Sequence, residues 1–262
     1  MGNFVDTCRE CWFCLNGMEH YCPKIIVTYN GLDKAGEPTY GGYARSIVVD
    51  ENYLVRIPDG LDLAAAVPLM CAGIAVYSPL RRFDVGPGTK IGILGVGGLD
   101  HLAVKFADAL GAEVTALSQT TSKKEDALAF GADDFRTTTD PATFLERAGY
   151  FDIIRCAVSA ALNFDQLLSL VRFDGTFVNL GAPDGPVSIG MFSLIRSRIS
   201  FTSSSIGSIA ETQEMLRCCV EHDIVSEIET LSAERINDAL DTLRQVGGGN
   251  VRYRYVIDTS TI

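Results

Sequence analysis

Four cysteines near the start of the chain have the spacing of a metal site. They occur as Cys8-x2-Cys11-x2-Cys14-x7-Cys22. Four soft ligands at this separation suit one tetrahedral zinc ion bound as thiolates, at about 2.3 Å per Zn–S bond. The long gap before the fourth cysteine argues against an iron–sulfur cluster. Because four protein ligands leave no open coordination position, we expect a structural zinc ion rather than a catalytic one.

Buried or disulfide-bonded cysteines are the alternative interpretation of this cluster. The first residues, Met1 to Asp6, have neither the basic region nor the apolar core of a secretory signal, and disulfides belong to oxidising compartments. Loops without hydrophobic periodicity also offer buried thiols no core. His20 lies inside the loop and could replace one thiolate, although we expect it at the surface. We therefore expect a cytoplasmic chain with a zinc-binding loop.

A glycine-rich turn, Gly95-Val96-Gly97-Gly98-Leu99-Asp100, lies between a predicted strand and a predicted helix. This context is the one that a dinucleotide-binding fingerprint requires. The first glycine permits the tight turn. The second lets the backbone approach the pyrophosphate, which then lies at the helix N-terminus. The turn therefore predicts a dinucleotide cofactor.

Asp100 stands where this fingerprint usually has Gly or Ala. A carboxylate suits a helix N-terminus, but here it would also lie near a pyrophosphate that carries two negative charges. At about 5 Å and an effective dielectric constant of about 20, one such charge pair costs on the order of 3 kcal/mol, or roughly a hundredfold in affinity. We therefore expect Asp100 to weaken cofactor binding.

The segment Ser118-Gln119-Thr120-Thr121-Ser122-Lys123-Lys124 follows the second predicted strand. NAD-binding chains place an acidic residue there, on the ribose 2′-hydroxyl. Hydroxyls and two ammonium groups, with no carboxylate before Glu125, suit a 2′-phosphate and favour NADP over NAD. The alternative is a solvated helix start, with Ser122 and Glu125 as a capping box; both interpretations can hold.

Alternating strands and helices position these residues after the turn at Gly86. The predicted strands are Ile91–Leu94, Val114–Leu117, Ile153–Val158 and Thr176–Leu180, and the predicted helices between them are Leu99–Leu110, Lys124–Phe130 and Leu162–Val171. Parallel strands need crossover helices, so the pattern predicts a doubly wound α/β region. Pro68 and Pro79 are predicted to break an apolar helical segment. The C-terminal part reads as helices Glu211–Glu221 and Ala233–Gln245, a break at Gly247–Gly249, and a last strand from Val251.

Composition narrows the range of partners. The chain of 262 residues has a net charge of −11, so it lacks the basic surface that nucleic-acid binding requires. No apolar run approaches the roughly 18 residues of a membrane span. We therefore expect neither nucleic acid nor a membrane as a partner.

Several segments together resemble one family. They are the cysteine loop, the glycine turn, and the stretches Tyr40-Gly41-Gly42-Tyr43-Ala44, Pro68-Leu69-Met70-Cys71-Ala72-Gly73, His101-Leu102-Ala103-Val104-Lys105 and Val251–Asp258. Over nearly its whole length the chain resembles zinc-dependent medium-chain alcohol dehydrogenases, in particular the cinnamyl-alcohol-dehydrogenase-like group of NADP-linked aldehyde reductases. The resemblance implies a doubly wound parallel (Rossmann) sheet and the remnant of a GroES-like β-barrel catalytic domain.

The resemblance also implies domains and site residues. Residues 1–73 would be a partial catalytic domain, 74–207 the dinucleotide-binding domain, and 208–262 a segment that returns to the catalytic domain. Cys8, Cys11, Cys14 and Cys22 would bind the structural zinc. Cys71 looks like the last of three ligands of a catalytic zinc. The implied NADP(H) contacts are Gly95, Gly97, Gly98, Leu99, Ser118, Thr120, Lys123 and Gly181, with Ser118 and Lys123 on the 2′-phosphate.

The sequence lacks counterparts of the family's other catalytic groups, which precede the cysteine loop. None of His20, His101 and His222 takes such a role by position. If the polypeptide starts at Met1, we expect no meaningful zinc-dependent turnover. The chain is thus interpreted as a zinc and NADP(H) alcohol dehydrogenase or aldehyde reductase for small aldehydes and primary alcohols. The alternatives are a non-catalytic dinucleotide-binding or dimerisation paralogue and a decayed or mispredicted fragment. A homodimer is the family expectation.

Two further departures from the family pattern lie beside the expected cofactor. Ala75 stands where the family usually has Thr near the nicotinamide. Arg155-Cys156 replaces a neutral or acidic pair at the end of a strand. Together with Asp100, these residues are what relaxed selection on the site would leave.

Overall fold

The computed structural model describes residues 4–244 and 251–262 and divides into two compact units. One unit is Met1–Ile74 together with Ile206–Ile262, and the other is Ala75–Ser205. The domain limits predicted from the sequence, after residues 73 and 207, lie one and two residues from the limits of these units. The role predicted for each domain stays a prediction.

Short strands and helices follow one another along the described residues. The strands are β1 Phe4–Asp6, β2 Ile26–Val27, β3 Tyr29–Leu32, β4 Pro38–Tyr40, β5 Lys90–Leu94, β6 Glu113–Ser118, β7 Asp134–Thr137, β8 Phe151–Cys156, β9 Val171–Asn179, β10 Ser200–Ser203, β11 Ile228–Ser232 and β12 Arg254–Asp258. The α-helices are α1 Trp12–Leu15, α2 Leu63–Ala66, α3 Ala72–Arg82, α4 Asp100–Ala109, α5 Lys124–Ala129, α6 Pro141–Glu146, α7 Phe164–Leu168, α8 Met191–Ile195, α9 Ile209–Glu221 and α10 Ile236–Arg244. Short 3₁₀ helices cover Glu19–Tyr21, Glu51–Tyr53, Val67–Met70, Ala233–Arg235 and Thr259–Thr261.

A six-stranded parallel sheet forms the centre of the Ala75–Ser205 unit, in the order β10-β9-β8-β5-β6-β7. The chain leaves β5 through β6 and β7, and then returns to the other side of β5 for β8, β9 and β10. This is the doubly wound, Rossmann-type order. Crossovers between parallel strands are right-handed as a rule, and with this strand order the rule puts α4 and α5 on one face and α7 and α8 on the other. The predicted doubly wound parallel sheet is therefore confirmed.

Aromatic and aliphatic side chains fix the carboxyl ends of the central strands. Leu94 of β5 and Leu117 of β6 belong to one buried cluster with residues of β8 and β9. In the same cluster the rings of Phe164 and Phe177 meet edge to face with their centroids 5.7 Å apart, and Phe177 stacks on Phe201 at 5.4 Å. Protein cores of this kind are close-packed, so the loops that leave these strand ends start from fixed positions.

The other unit contains three two-stranded sheets among its described residues. β1 pairs with β2 and β3 with β4 in antiparallel fashion, and β11 pairs with β12 in parallel. Helix α9 begins with a capping box between Ser208 and Glu211, and the Glu19 carboxylate accepts the Ile209 N–H at 2.8 Å. Glu19, which lies between Cys14 and Cys22, therefore joins the cysteine loop to the start of α9.

Several predicted element limits differ from the structure. Strand β8 covers Phe151–Cys156 instead of Ile153–Val158, β9 covers Val171–Asn179 instead of Thr176–Leu180, and the helix predicted from Ala233 begins at Ile236. The predicted helix Leu162–Val171 ends at Leu168, and Val171 already begins β9, because a short apolar run suits a buried strand as well as a helix. Helix α3 continues through Pro79, at the cost of the one hydrogen bond that proline cannot donate. The last strand begins at Arg254 rather than Val251. The predicted break at Gly247–Gly249 lies outside the described residues.

No single helix within residues 4–244 and 251–262 has both the length and the apolar character to cross a bilayer. The segments Leu63–Met70 and Ala72–Arg82 meet these criteria by length and composition only when taken together as a bent pair.

Candidate functional site

The four cysteines of the N-terminal loop lie together, with all of their Sγ atoms within 4.8 Å of one another. Individual Sγ–Sγ distances are 3.9 Å for Cys8–Cys14, 3.5 Å for Cys11–Cys14 and 3.5 Å for Cys8–Cys22. Four thiolates at about 2.3 Å from one ion in a tetrahedron lie about 3.8 Å apart. The spacing of the thiols therefore fits one zinc ion.

Backbone N–H groups around the cluster donate hydrogen bonds to its sulfur atoms. Cys11 N–H donates to Cys8 Sγ at 3.3 Å, and Lys24 N–H donates to Cys22 Sγ at 3.3 Å. Hydrogen bonds from the backbone of Glu10 and Cys11 lower the pKa of the Cys8 thiol to about 6, although desolvation raises it. Zinc binds the thiolate form, so these hydrogen bonds favour the state of Cys8 that a metal ion requires.

His20 is not part of this group of ligands. Its ring lies 4.3 Å from the ring of Tyr21, and burial lowers the pKa of its imidazole, against the nearby charges of Glu211 and Glu19. The structure therefore brings the four predicted cysteines together and keeps the histidine out of the cluster.

The glycine turn joins β5 to α4 at the carboxyl edge of the parallel sheet. Leu94, the last residue of β5, lies opposite Leu117 of β6 and Cys156 of β8. Gly95 has φ +102°, and a Cβ atom there would lie 2.7 Å from an oxygen of Asp100, so the position requires glycine. The turn leaves the sheet between β5 and β8, where the strand order reverses and doubly wound folds bind their ligands.

The rest of the turn leads into helix α4. Gly97 and Gly98 follow Gly95, and Leu99 is the N-cap residue of α4. The first N–H groups of a helix carry a partial positive charge and have no partner within the helix. These predicted cofactor-binding residues therefore present the end of α4 that attracts a phosphate group.

The loop after β6 lies against the glycine turn. Lys123 Nζ donates to the carbonyl oxygen of Val96 at 3.0 Å, and the hydroxyls of Thr120 and Ser122 lie 2.9 Å apart. Ser118 is the last residue of β6. A basic group and hydroxyls beside the turn suit a phosphate ester. The predicted capping box at Ser122 is wrong, because the N-cap of α5 is Lys123 and no side chain caps this helix.

Gly181 lies on the loop after β9, at the same edge of the sheet. A Cβ atom there would lie 2.1 Å from the carbonyl oxygen of Val158, which follows β8. Asn179 Nδ2 donates to the Gly181 carbonyl at 2.9 Å. The backbones of the two loops thus touch, and only glycine permits this contact.

Gly181→Ala is expected to lower the free energy of unfolding by about 1–3 kcal/mol, since the added methyl group must push two backbones apart. Gly185→Ala is the matched control, because the space around Gly185 in the same loop is open, and we expect a change within about 0.5 kcal/mol. Urea unfolding of both variants measures the difference. Equal stability of the two variants would show that the loops do not touch.

Asp100 is not an unpaired charge. Its carboxylate forms an ion pair with the guanidinium of Arg155 in β8, and its second oxygen accepts the Gly97 N–H at 3.0 Å. Both side chains are buried. Asp100 and Arg155, each of which departs from the family pattern, are therefore in direct contact. The expected repulsion between Asp100 and a pyrophosphate assumed a lone carboxylate, which the structure does not contain.

Cys71 follows the 3₁₀ helix Val67–Met70 and is exposed. Within the described ranges, the four-cysteine cluster is the only group of three or more candidate metal ligands, and Cys71 does not belong to it. A catalytic zinc needs about three protein ligands and an open position. The described residues therefore assemble no such site around Cys71.

The six-stranded sheet has the doubly wound order of dinucleotide-binding folds, and the N-terminal loop carries a group of four thiols with the spacing of a metal site. A family described as zinc-binding dehydrogenase matches residues 98–221. The chain is 51% identical over its full length to the probable formaldehyde dehydrogenase AdhA of Bacillus subtilis, of which it covers 74%. It is 50% identical over its full length to NADP-dependent alcohol dehydrogenase C 1 of Mycolicibacterium smegmatis, of which it covers 75%.

A solved cinnamyl alcohol dehydrogenase from Sorghum bicolor matches the structure with a TM-score of 0.95 and 38% identity, over 99% of this chain and 74% of that one. The chain belongs to the zinc-binding dehydrogenase family, and its relatives include alcohol and cinnamyl alcohol dehydrogenases. These findings confirm the predicted resemblance. They also confirm the predicted fold class, a doubly wound sheet with part of a GroES-like domain.

Proposed function

We propose that this chain binds NADP(H) as part of a zinc-containing alcohol dehydrogenase or aldehyde reductase, which acts on small aldehydes and primary alcohols. The observation that carries the proposal is the contact between Lys123 and the glycine turn, which sets an ammonium group beside the turn. The names of the relatives support the same cofactor and reaction class.

Each part of the proposed cofactor has a counterpart in the Ala75–Ser205 unit. The glycine turn and the N-terminus of α4 would receive the pyrophosphate. Ser118, Thr120 and Lys123 would hold the 2′-phosphate, while the loop that contains Gly181 would contact the nicotinamide end. When bound, the nicotinamide exchanges a hydride with a carbonyl or alcohol carbon. The protein residues bind and orient it.

The cysteine cluster has a structural role in this proposal. Zinc bound by Cys8, Cys11, Cys14 and Cys22 would hold together a loop that has few buried side chains. Reduced thiols persist in reducing compartments, so the proposal places the chain in the cytoplasm.

A homodimer is also part of the proposal. Strand β10 ends the six-stranded sheet, and among the described residues it pairs only with β9. An edge strand offers unpaired N–H and C=O groups to a second chain. A second copy of the same edge would satisfy them.

Titration of NADPH and NADH fluorescence tests the cofactor assignment. We expect NADPH to bind at least about tenfold more tightly than NADH, since a charge-assisted hydrogen bond contributes about 1.5–3 kcal/mol. Lys123→Gln is expected to raise the Kd for NADPH about tenfold or more and to leave the Kd for NADH nearly unchanged.

Lys124→Gln is the matched control. The sequence offers both lysines to a 2′-phosphate, but Lys123 is the one that contacts the glycine turn, whereas Lys124 is exposed in the first turn of α5. We expect this variant to bind NADPH as the wild type does. Equal affinity of the wild type for NADPH and NADH would contradict the assignment of the 2′-phosphate site. If Lys123→Gln raises the Kd for NADPH and the Kd for NADH by the same factor, Lys123 only supports the turn.

A non-catalytic dinucleotide-binding protein is the second candidate function. The observation that favours it is the position of Cys71 outside any group of three candidate ligands among the described residues. Both candidates predict NADPH binding, and turnover distinguishes them.

A further inference from the structure

A buried ion pair lies directly against the glycine turn. Arg155 in β8 is 0% exposed and Asp100 at the start of α4 is 6% exposed. One guanidinium nitrogen of Arg155 contacts the Asp100 carboxylate, while Nε and Nη2 of Arg155 have no hydrogen-bond partner among the residues that the structure describes. Asp100 is therefore the group that compensates the charge of this arginine.

The Asp100 carboxylate also holds the turn. Its Oδ2 atom accepts the Gly97 N–H at 3.0 Å, and it lies 2.7 Å and 3.1 Å from the positions that Cβ atoms would take at Gly95 and Gly97. These two glycines are the ones that a dinucleotide fingerprint needs for the tight turn and for the approach of the pyrophosphate. The carboxylate thus contacts the turn at the residues that would receive the cofactor.

Two opposing effects act on a phosphate at this turn. A lone carboxylate at about 5 Å would weaken binding on the order of a hundredfold. The guanidinium of Arg155, in contact with the same carboxylate, cancels this charge. Removal of one partner from a buried pair leaves an uncompensated charge, which is strongly unfavourable. The effect of either residue on cofactor binding therefore depends on the presence of the other.

We propose that Asp100 and Arg155 form one neutral unit that positions the glycine turn and sets its affinity for the cofactor pyrophosphate. Arg155 cancels the charge of Asp100, and Asp100 fixes Gly97 from the buried side of the turn. Both act in this inference as positioning residues, because both side chains are buried. The inference rests on the proposed NADP(H) binding and adds a determinant of its affinity.

Fluorescence titration with NADPH in mildly alkaline buffer tests the Asp100–Arg155 pair in a set of charge variants. Arg155→Met is expected to raise the Kd on the order of a hundredfold, because Asp100 loses its counter-charge. Arg155→Lys keeps the charge and is expected to bind within about fivefold of the wild type. The double variant Asp100→Asn with Arg155→Met is expected to bind NADPH with a Kd within about fivefold of the wild-type value. The amide oxygen of the new asparagine can still accept the Gly97 N–H.

The recovery of binding in the double variant separates this role from simple packing. If Arg155→Met binds as the wild type does, or if the double variant binds as weakly as Arg155→Met, the inference is overturned. If Arg155→Met fails to fold, as judged by circular dichroism, the double variant decides, because it leaves no uncompensated charge in the buried site. It should bind NADPH within about fivefold of the wild type, and a Kd more than about tenfold higher would overturn the inference.

The wild-type protein distinguishes a failure of the proposed function from a failure of this inference. A wild-type protein that binds no NADPH at millimolar concentration would refute the proposed function itself. A wild type that binds NADPH, with variants that do not follow the charge pattern, would refute only the role of the pair.

Discussion

Replacement of Cys8 by serine is expected to release zinc and to unfold the cysteine loop. Cys8 Sγ lies close to the thiols of both Cys14 and Cys22, so three ligands and an incomplete tetrahedron would remain. The loop has little core of its own, since Trp12 is 63% exposed and Leu15 is 72% exposed. In small zinc modules metal binding supplies on the order of 10–16 kcal/mol, which is folding free energy. The free energy of unfolding of the unit that contains the cysteine loop should fall by several kcal/mol.

Elemental analysis and thermal unfolding measure this effect. The wild type should retain one zinc ion per chain after treatment with a weak chelator, whereas Cys8→Ser should retain almost none. Cys71→Ser is the control, because Cys71 is exposed and lies outside the cluster. We expect this variant to keep its zinc and to change stability by less than about 0.5 kcal/mol. Full zinc content in Cys8→Ser would show that the four thiols do not form the site.

A polypeptide that consists of the 262 residues of this sequence is expected to bind NADPH without reducing cinnamaldehyde. A catalytic zinc requires about three protein ligands, and the described residues place Cys71 in no group of that size. Without a Lewis acid the carbonyl oxygen is not polarised. The rate should therefore lie at least about a thousandfold below a typical enzyme turnover of about 10 per second.

Loss of NADPH absorbance with cinnamaldehyde and added zinc measures turnover. A cinnamyl alcohol dehydrogenase, such as the one from Sorghum bicolor, serves as the positive control for the assay. A second zinc ion per chain and turnover at an enzymatic rate, both lost in Cys71→Ser, would refute this expectation. The chain would then assemble a catalytic site that the structure does not show.

The parts that sequence reasoning predicts well are those with local signals. The four cysteines lie within one short loop, so their spacing alone indicates a shared ion. The glycine turn lies between an apolar strand and an amphipathic helix, both of which follow from periodicity. Strands β7 and β10 were not predicted, because Asp134–Thr137 and Ser200–Ser203 are short and largely polar.

The contact between Asp100 and Arg155 could not be read from local patterns. The two residues are separated by 55 positions, and they meet because β5 and β8 become neighbours only in the doubly wound sheet. One signal was nevertheless present in the sequence. An arginine directly after Ile153 and Ile154 interrupts an apolar strand, and a buried arginine requires an acidic or hydrogen-bonding partner.

A crystal structure of this chain grown with saturating NADP⁺ shows where the cofactor lies. We expect density for the pyrophosphate along Gly97 to Leu99 at the N-terminus of α4. The 2′-phosphate should lie within hydrogen-bond distance of Lys123 Nζ and the hydroxyl of Ser118 or Thr120. A glycine turn without density, or a cofactor bound elsewhere on the chain, would contradict the proposed function.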